Sequence, residues 1–157
     1  MSDTLPAAPY RVDELSIEDG LDIAMWRTPG PWAVEDSLTS PRPDEGYWAV
    51  RSANNALVGY CVFGEKARPL GLPAKPGTLD VAIGIAPQYA GRHLSQAFAK
   101  AVLDRGREVA EDRRLRTAVA GWNAVGRHTT ESAGFRLSGM HEVKGGAQVT
   151  SYYVYEM

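Results

Sequence analysis

One segment leaves few architectures open to this chain. An apolar run, Thr78 to Ala86, is closed by Pro87 and leads through the turn Ala90-Gly91-Arg92-His93-Leu94-Ser95 into an amphipathic stretch. Pro87 has no amide hydrogen to contribute to a ladder, so a strand ends there. Beyond the turn, Leu94, Phe98, Ala101, Val102 and Val109 recur at helical spacing, so a helix starting near His93 presents one apolar face. A strand that hands over to such a helix calls for a sheet with helices packed on it.

The rest of the chain supplies the partners. Tyr10 to Leu15 alternates weakly and opens a sheet; Ser16-x-x-Asp19 reads as a capping-box start, with Ile17, Leu21, Ala24 and Met25 on one face of a helix running to about Arg27. Pro29 to Gly46 has no clear period and reads as a long loop, of a kind often functional in compact domains. Tyr47 to Ser52 and Leu57 to Glu65 flank Ala53-Asn54-Asn55-Ala56, whose paired asparagines tolerate the positive φ of a hairpin turn. Arg68 to Gly77, with three prolines, is a second loop; Leu115 to Trp122 is a strand; Ala124 to Ala133 is a short helix after Asn123, closed by Gly134; and Arg136 to Met157 is two strands around Gly145-Gly146.

Bulk properties narrow the function. The 157 residues are 44% hydrophobic, enough for one core, and the formal charge of −2 supplies no basic field for nucleic acid. A single cysteine, Cys61, excludes an internal disulfide, and histidines at 93, 128 and 141 have no metal-ligand spacing, so no metal is expected. The N-terminus lacks a basic region followed by an apolar one, and no run reaches spanning length, so no membrane association and a cytoplasmic location are expected. A flexible tail over residues 1–9 precedes a single domain over 10–157.

A strand–turn–helix junction aims unpaired amides and the positive helix end at one point, where anions, phosphates above all, bind. Many such turns only connect. Here the flanking segments add weight. Leu79-Asp80-Val81-Ala82-Ile83-Gly84-Ile85-Ala86-Pro87-Gln88-Tyr89 precedes the turn, and Asn123 is followed across a helix by Gly134-Phe135. Together these resemble the GNAT superfamily of N-acetyltransferases: its fourth strand, its Q/R-x-x-G-x-G/A pyrophosphate loop and its "N, helix, GF" signature. The resemblance covers roughly residues 10–157. It implies an α/β (α+β) fold, with a mixed, mostly antiparallel sheet of six to seven strands, helices on both faces and splayed central strands. It also implies an acetyl-CoA-dependent N-acetyltransferase acting on a small-molecule or peptide amine. The alternative is a GNAT-like acyl-CoA-binding or protein-interaction module that has lost catalysis.

Counting from Ile85-x-Pro87 sets Ala90 at the Q/R position, His93 at the first motif glycine and Ser95 at the last, with Gly91 the free glycine of the loop. The register Gln88-x-x-Gly91-x-His93 recovers a glutamine but shifts the loop two residues from Pro87, and the first is preferred. By resemblance, Ala90, Gly91, Arg92, His93, Leu94 and Ser95 hold the pyrophosphate, the backbone near Ile83 and Ile85 pairs with the pantetheine arm, and Asn123 lies near it; a helix N-cap is the alternative role for Asn123. Thr130 occupies the place where the family often carries the tyrosine that protonates the leaving thiolate, and is the candidate acid by position, with water, Ser132 or a C-terminal tyrosine as alternatives because its hydroxyl is a weak acid. Asp80 is the carboxylate on the central strand and so a candidate base, with Glu35 and Asp36 as competitors and a structural hydrogen-bonded role as its alternative. Trp26, Trp32, Tyr47 and Trp48 either line an acceptor pocket or belong to the core. The arginines at 105, 107, 113, 114 and 116 read as a solvated cluster at the long helix's C-terminus. A homodimer is possible if Val149 to Tyr155 offers a strand edge.

Overall fold

The computed structural model describes residues 8–27, 40–89, 96–145 and 147–157. In chain order the regular elements are β1 (Arg11–Glu14), α1 (Ile17–Ala24), β2 (Tyr47–Arg51), β3 (Leu57–Phe63), β4 (Thr78–Ile85), α2 (Gln96–Ala110), β5 (Arg114–Ala120), α3 (Ala124–Ser132), β6 (Arg136–Gly145) and β7 (Gln148–Glu156). The strands form one seven-stranded sheet in the order β1-β2-β3-β4-β5-β7-β6. Every pairing is antiparallel except β4 with β5.

Register assigns the two faces, because paired residues share a face and neighbours along a strand do not. Phe63 pairs with Val81, and Leu79 with Leu115. On their face α2 lays down Phe98, Val102, Leu103 and Ala110, forming the main core with Val50, Cys61 and Tyr155. Gly106 lets α2 approach the sheet: a Cβ there would stand 3.2 Å from the Phe63 ring. Burial pushes the Cys61 thiol up to about 12, although Arg105 pulls the other way, so Cys61 acts as a small apolar core residue. On the opposite face α1 brings Ile23 against Leu15 and Ala49, with Trp26, Tyr47, Leu57 and Tyr60 around them. Helices therefore cover both faces.

The capping box at Ser16 forms as expected: Asp19 N donates to Ser16 Oγ and Ser16 N to an Asp19 carboxylate oxygen, each at 3.0 Å. The apolar stripe of α1 turns the other way from the expected one. Ile17, Leu21 and Met25 are exposed, while Asp19, Gly20 and Ile23 are buried. Two contacts set this rotation. Arg51 on β2 grips both Asp19 oxygens at 2.7 Å, and Gly20 backs onto the Pro41 carbonyl, where a Cβ would come within 2.6 Å. The helix also stops at Ala24, short of the expected Arg27.

The 53–56 turn carries Asn55 at φ 70, and Ser52, fully buried, receives the Ala56 amide at 3.2 Å. Gly134 follows α3 at φ 103. β7 is flanked by β5 and β6, so Val149 to Tyr155 is not a sheet edge; the edges are β1 and β6. β7 pairs with β6 along its whole length, from Gln148 beside Gly145 to Glu156 beside Arg136, and with β5 on its other side.

Candidate active site

β4 and β5 run parallel but stay together for only three pairs, Thr78 with Arg114, Leu79 with Leu115 and Asp80 with Arg116. From there β4 pairs with β3 alone, Val81 to Ile85, and β5 with β7 alone, Thr117 to Ala120. The central strands thus splay, and among the described residues the β4 edge that faces β5 has no ladder partner beyond Asp80. Burial follows the same line: Leu79, Asp80 and Val81 are buried, whereas Ile83 is 38% exposed and Ile85 half-buried. A cleft between diverging strands, with free backbone donors and acceptors on one wall, accepts an extended amide-bearing chain as a strand would be accepted.

Asp80 and Arg116 close the narrow end. Asp80 Oδ1 accepts from Arg116 Nε at 2.6 Å, and Oδ2 from Arg116 Nη2 and Arg68 Nη1, each at 3.2 Å. Both residues are 5% exposed. Arg116 also donates to the Pro73 carbonyl at 2.8 Å, so the 68–77 loop covers the pair. Asp80 lies on the face opposite Leu79, Val81, Ile83 and Ile85, and its carboxylate is committed to guanidinium groups. Arg116 is therefore a buried partner of the sheet and not a solvated member of the arginine cluster. Arg113 does take the expected place, donating to the Val109 and Ala110 carbonyls at the end of α2.

The charges continue across the sheet. Register sets Arg116 beside Glu156 and Glu156 beside Arg136, so signs alternate over β4, β5, β7 and β6. Lys75, reaching down from the loop, holds the Glu156 carboxylate below its usual range, outweighing burial. Sequence reading missed this row because residues 20 to 76 apart reach one line only through strand register.

Asn123 caps α3, its Oδ1 accepting from Gly126 N at 2.9 Å. A Cβ on Gly126 would stand 2.6 Å from the Asn123 amide nitrogen, so a larger residue there has to displace the capping side chain. Thr130 Oγ1 donates to the Gly126 carbonyl at 2.8 Å, one turn back. Beneath α3, the Tyr155 hydroxyl donates to Glu131 at 2.7 Å and the Arg127 guanidinium stacks 4.0 Å from the Tyr153 ring centre. Tyr155 is pushed up from its ordinary value, by burial first and then by its bond to Glu131.

On the α1 face, Tyr60 lies over Gly84, the β4 residue opposite it in register; a Cβ on Gly84 would overlap the ring at 2.0 Å. Tyr47 and Trp26 pack on Tyr60 at 5.6 and 6.2 Å between ring centres. Trp48 lies on the other face under Arg105, at 4.7 Å. The expected acceptor aromatics therefore divide between two faces. Ala90, Gly91, Arg92, His93, Leu94 and Ser95, together with Trp32, Glu35 and Asp36, lie outside the described residues. Among the described residues no group of His, Cys, Asp and Glu is arranged to hold a metal ion, and no helix is long and apolar enough to cross a membrane.

Known proteins share this arrangement. The sequence profile of the acetyltransferase (GNAT) family matches residues 11–135. No curated protein matches the chain by sequence. Among solved structures, a GNAT acetyltransferase from Bacillus anthracis superposes with a TM-score of 0.70 at 15% identity, covering 98% of this chain and 96% of that one. A chimera of the Vibrio cholerae spermidine N-acetyltransferase with hSSAT gives 0.69 at 15% identity, covering 96% and 95%. An acetyltransferase from Salmonella typhimurium, determined with its cofactor acetyl-CoA, gives 0.63 at 14% identity, covering 96% and 94%. The matched profile takes in most of the chain, and these folds share its architecture. The chain belongs to the GNAT family of acetyltransferases and is an acyltransferase.

Proposed function

We propose that this protein transfers an acetyl group from acetyl-CoA directly to a primary amine. The observation that carries the reading is the splay of β4 from β5 beyond Asp80 and Arg116, which exposes a β4 backbone edge suited to the amides of a pantetheine arm. The arm would lie along Ile83 and Ile85, with Asn123 at the facing helix start. The pyrophosphate would then fall on the amides of residues 90–95, at the entry to α2. In the reaction the amine nitrogen forms a bond to the thioester carbonyl carbon while the carbon–sulfur bond breaks. The ammonium proton leaves to a base before attack, and the departing thiolate takes a proton from solvent.

The placement of Asp80 between two arginines favours a different base, reached through water, with Glu35 and Asp36 as candidates. The acceptor is an amine, as it is for the Vibrio cholerae spermidine enzyme, and its identity is to be found by screening. Calorimetry with acetyl-CoA tests the binding step, and thiol release across polyamines, aminoglycosides, amino acids and peptide N-termini tests transfer. Micromolar or tighter binding with turnover on one amine class supports the reading; absence of binding refutes it.

Thr130 favours a second reading, an acyl-CoA-binding module without turnover. Its hydroxyl proton is given to the Gly126 carbonyl, so the place where the family often carries a tyrosine holds no free donor. Binding without thiol release on any amine would select this reading. In either case a backbone-only phosphate turn predicts that His93→Gly binds acetyl-CoA as tightly as the parent or tighter.

A further inference from the structure

Asp80 and Arg116 are the last pair before the central strands part, and they are joined by a two-pronged ion pair in a buried position. We propose that Asp80, Arg116 and Arg68 form a clamp that fixes where β4 and β5 separate, and so positions the β4 edge that receives the cofactor arm. This rests on the acetyl-CoA reading above.

Three observations converge on the clamp. A parallel ladder of aliphatic strands gains by continuing, since each further pair satisfies backbone groups that otherwise need water or ligand. The ladder stops at the residue pair whose side chains carry the charges. Beyond that pair β4 carries only Ala82 and Gly84 on the clamp's face, with the Tyr60 ring of β3 lying over Gly84, so no β4 side chain there is long enough to reach across to β5. The clamp is also braced from outside the sheet: Arg68 binds Asp80 from the start of the 68–77 loop, and the Pro73 carbonyl of the same loop holds Arg116. A buried ion pair contributes little net stability compared with apolar packing, but its fork geometry defines one arrangement of the strands that carry it. Glu156, held by Lys75 from the loop, provides an internal comparison, because it lies on the same charged row where β5 remains paired with β7.

The test compares Asp80→Asn, Arg116→Lys, the milder Arg68→Ala, and Glu156→Gln as the comparison variant. The readouts are acetyl-CoA affinity by calorimetry, steady-state kinetics, Tm, and hydrogen exchange of the 81–85 and 117–120 amides. The clamp predicts a rise in acetyl-CoA Kd and KM of about tenfold for Asp80→Asn and Arg116→Lys, with kcat changed less than about threefold and the shape of the pH–rate profile kept. Exchange at the splayed amides quickens, and the double variant is no worse than either single one because both break one unit. Glu156→Gln lowers Tm and leaves Kd unchanged. Loss of kcat in Asp80→Asn at unchanged KM, with the acidic limb of the pH–rate profile removed, would make Asp80 the base and overturn the clamp. Equal Kd and equal exchange in all variants would reduce the pair to ordinary stabilisation. Failure of the parent protein itself to bind acetyl-CoA refutes the functional reading, and unchanged exchange at residues 81–85 in the variants then refutes the clamp independently.

Discussion

Thr130 and Gly84 show how much one residue's surroundings decide. A threonine inside a helix can return its hydroxyl proton to the carbonyl four residues earlier, and Thr130 does so at 2.8 Å. Thr130→Val, which keeps the shape and removes the proton, is therefore expected to change kcat by less than about threefold; a loss on the order of 100-fold would identify the hydroxyl as the acid. At Gly84 the missing side chain is what the structure uses. Gly84→Ala must displace the Tyr60 ring, which Tyr47 and Trp26 hold, at an expected cost of about 1–3 kcal/mol in chemical denaturation. In a Tyr60→Ala background the same change should cost far less, because the obstacle is gone. Both residues were visible in the sequence as a threonine and a glycine. Their roles depend on an atom one helical turn away and a ring on the neighbouring strand.

Among the elements, α1 separates pattern from placement. Its apolar spacing at 17, 21 and 25 is a sound helix signal, and the capping box at Ser16 marks its start. Which side is buried was settled by Arg51, contributed by β2, and by the close approach of Pro41 to Gly20. Ile23→Ala should consequently cost about 2–4 kcal/mol, whereas Leu21→Gln should stay within about 0.5 kcal/mol. Urea unfolding of the two variants checks this; a reversed order would show that the outward stripe is packed. The hairpin of β2 and β3, by contrast, was legible throughout. Its turn chemistry is local, and Asn55 takes the positive φ that its residue type tolerates.

Across the whole molecule, charge pairs join segments far apart in the chain, and they set its response to acid. Burial alone would raise the Asp19 carboxyl, but hydrogen bonds from Ser16 and Arg51 outweigh it and hold it below its usual value. Lys75 does the same for Glu156. A carboxylate lowered in the folded state contributes stability that is complete above its unfolded value, about 4, and is lost as pH falls through the folded one. Acid unfolding should therefore steepen below about pH 4. The variant carrying both Asp19→Asn and Glu156→Gln should be less stable at neutral pH and show a flatter acid limb. An unchanged limb would place the acid response elsewhere.

Local sequence was enough for the order of strands and helices along the chain, the 53–56 hairpin turn and the apolar strand that leads to residues 90–95, because backbone preference and hydrophobic period act over a few residues. The family resemblance followed from that order. Which stripe of α1 is buried, which strand lies at the edge, and the meeting of Asp80 with Arg116 and Arg68 at the root of the splay emerge only when the sheet is assembled. Those outcomes depend on strand register and long-range ion pairing, which bring together residues whose separation in the chain carries no sign of contact.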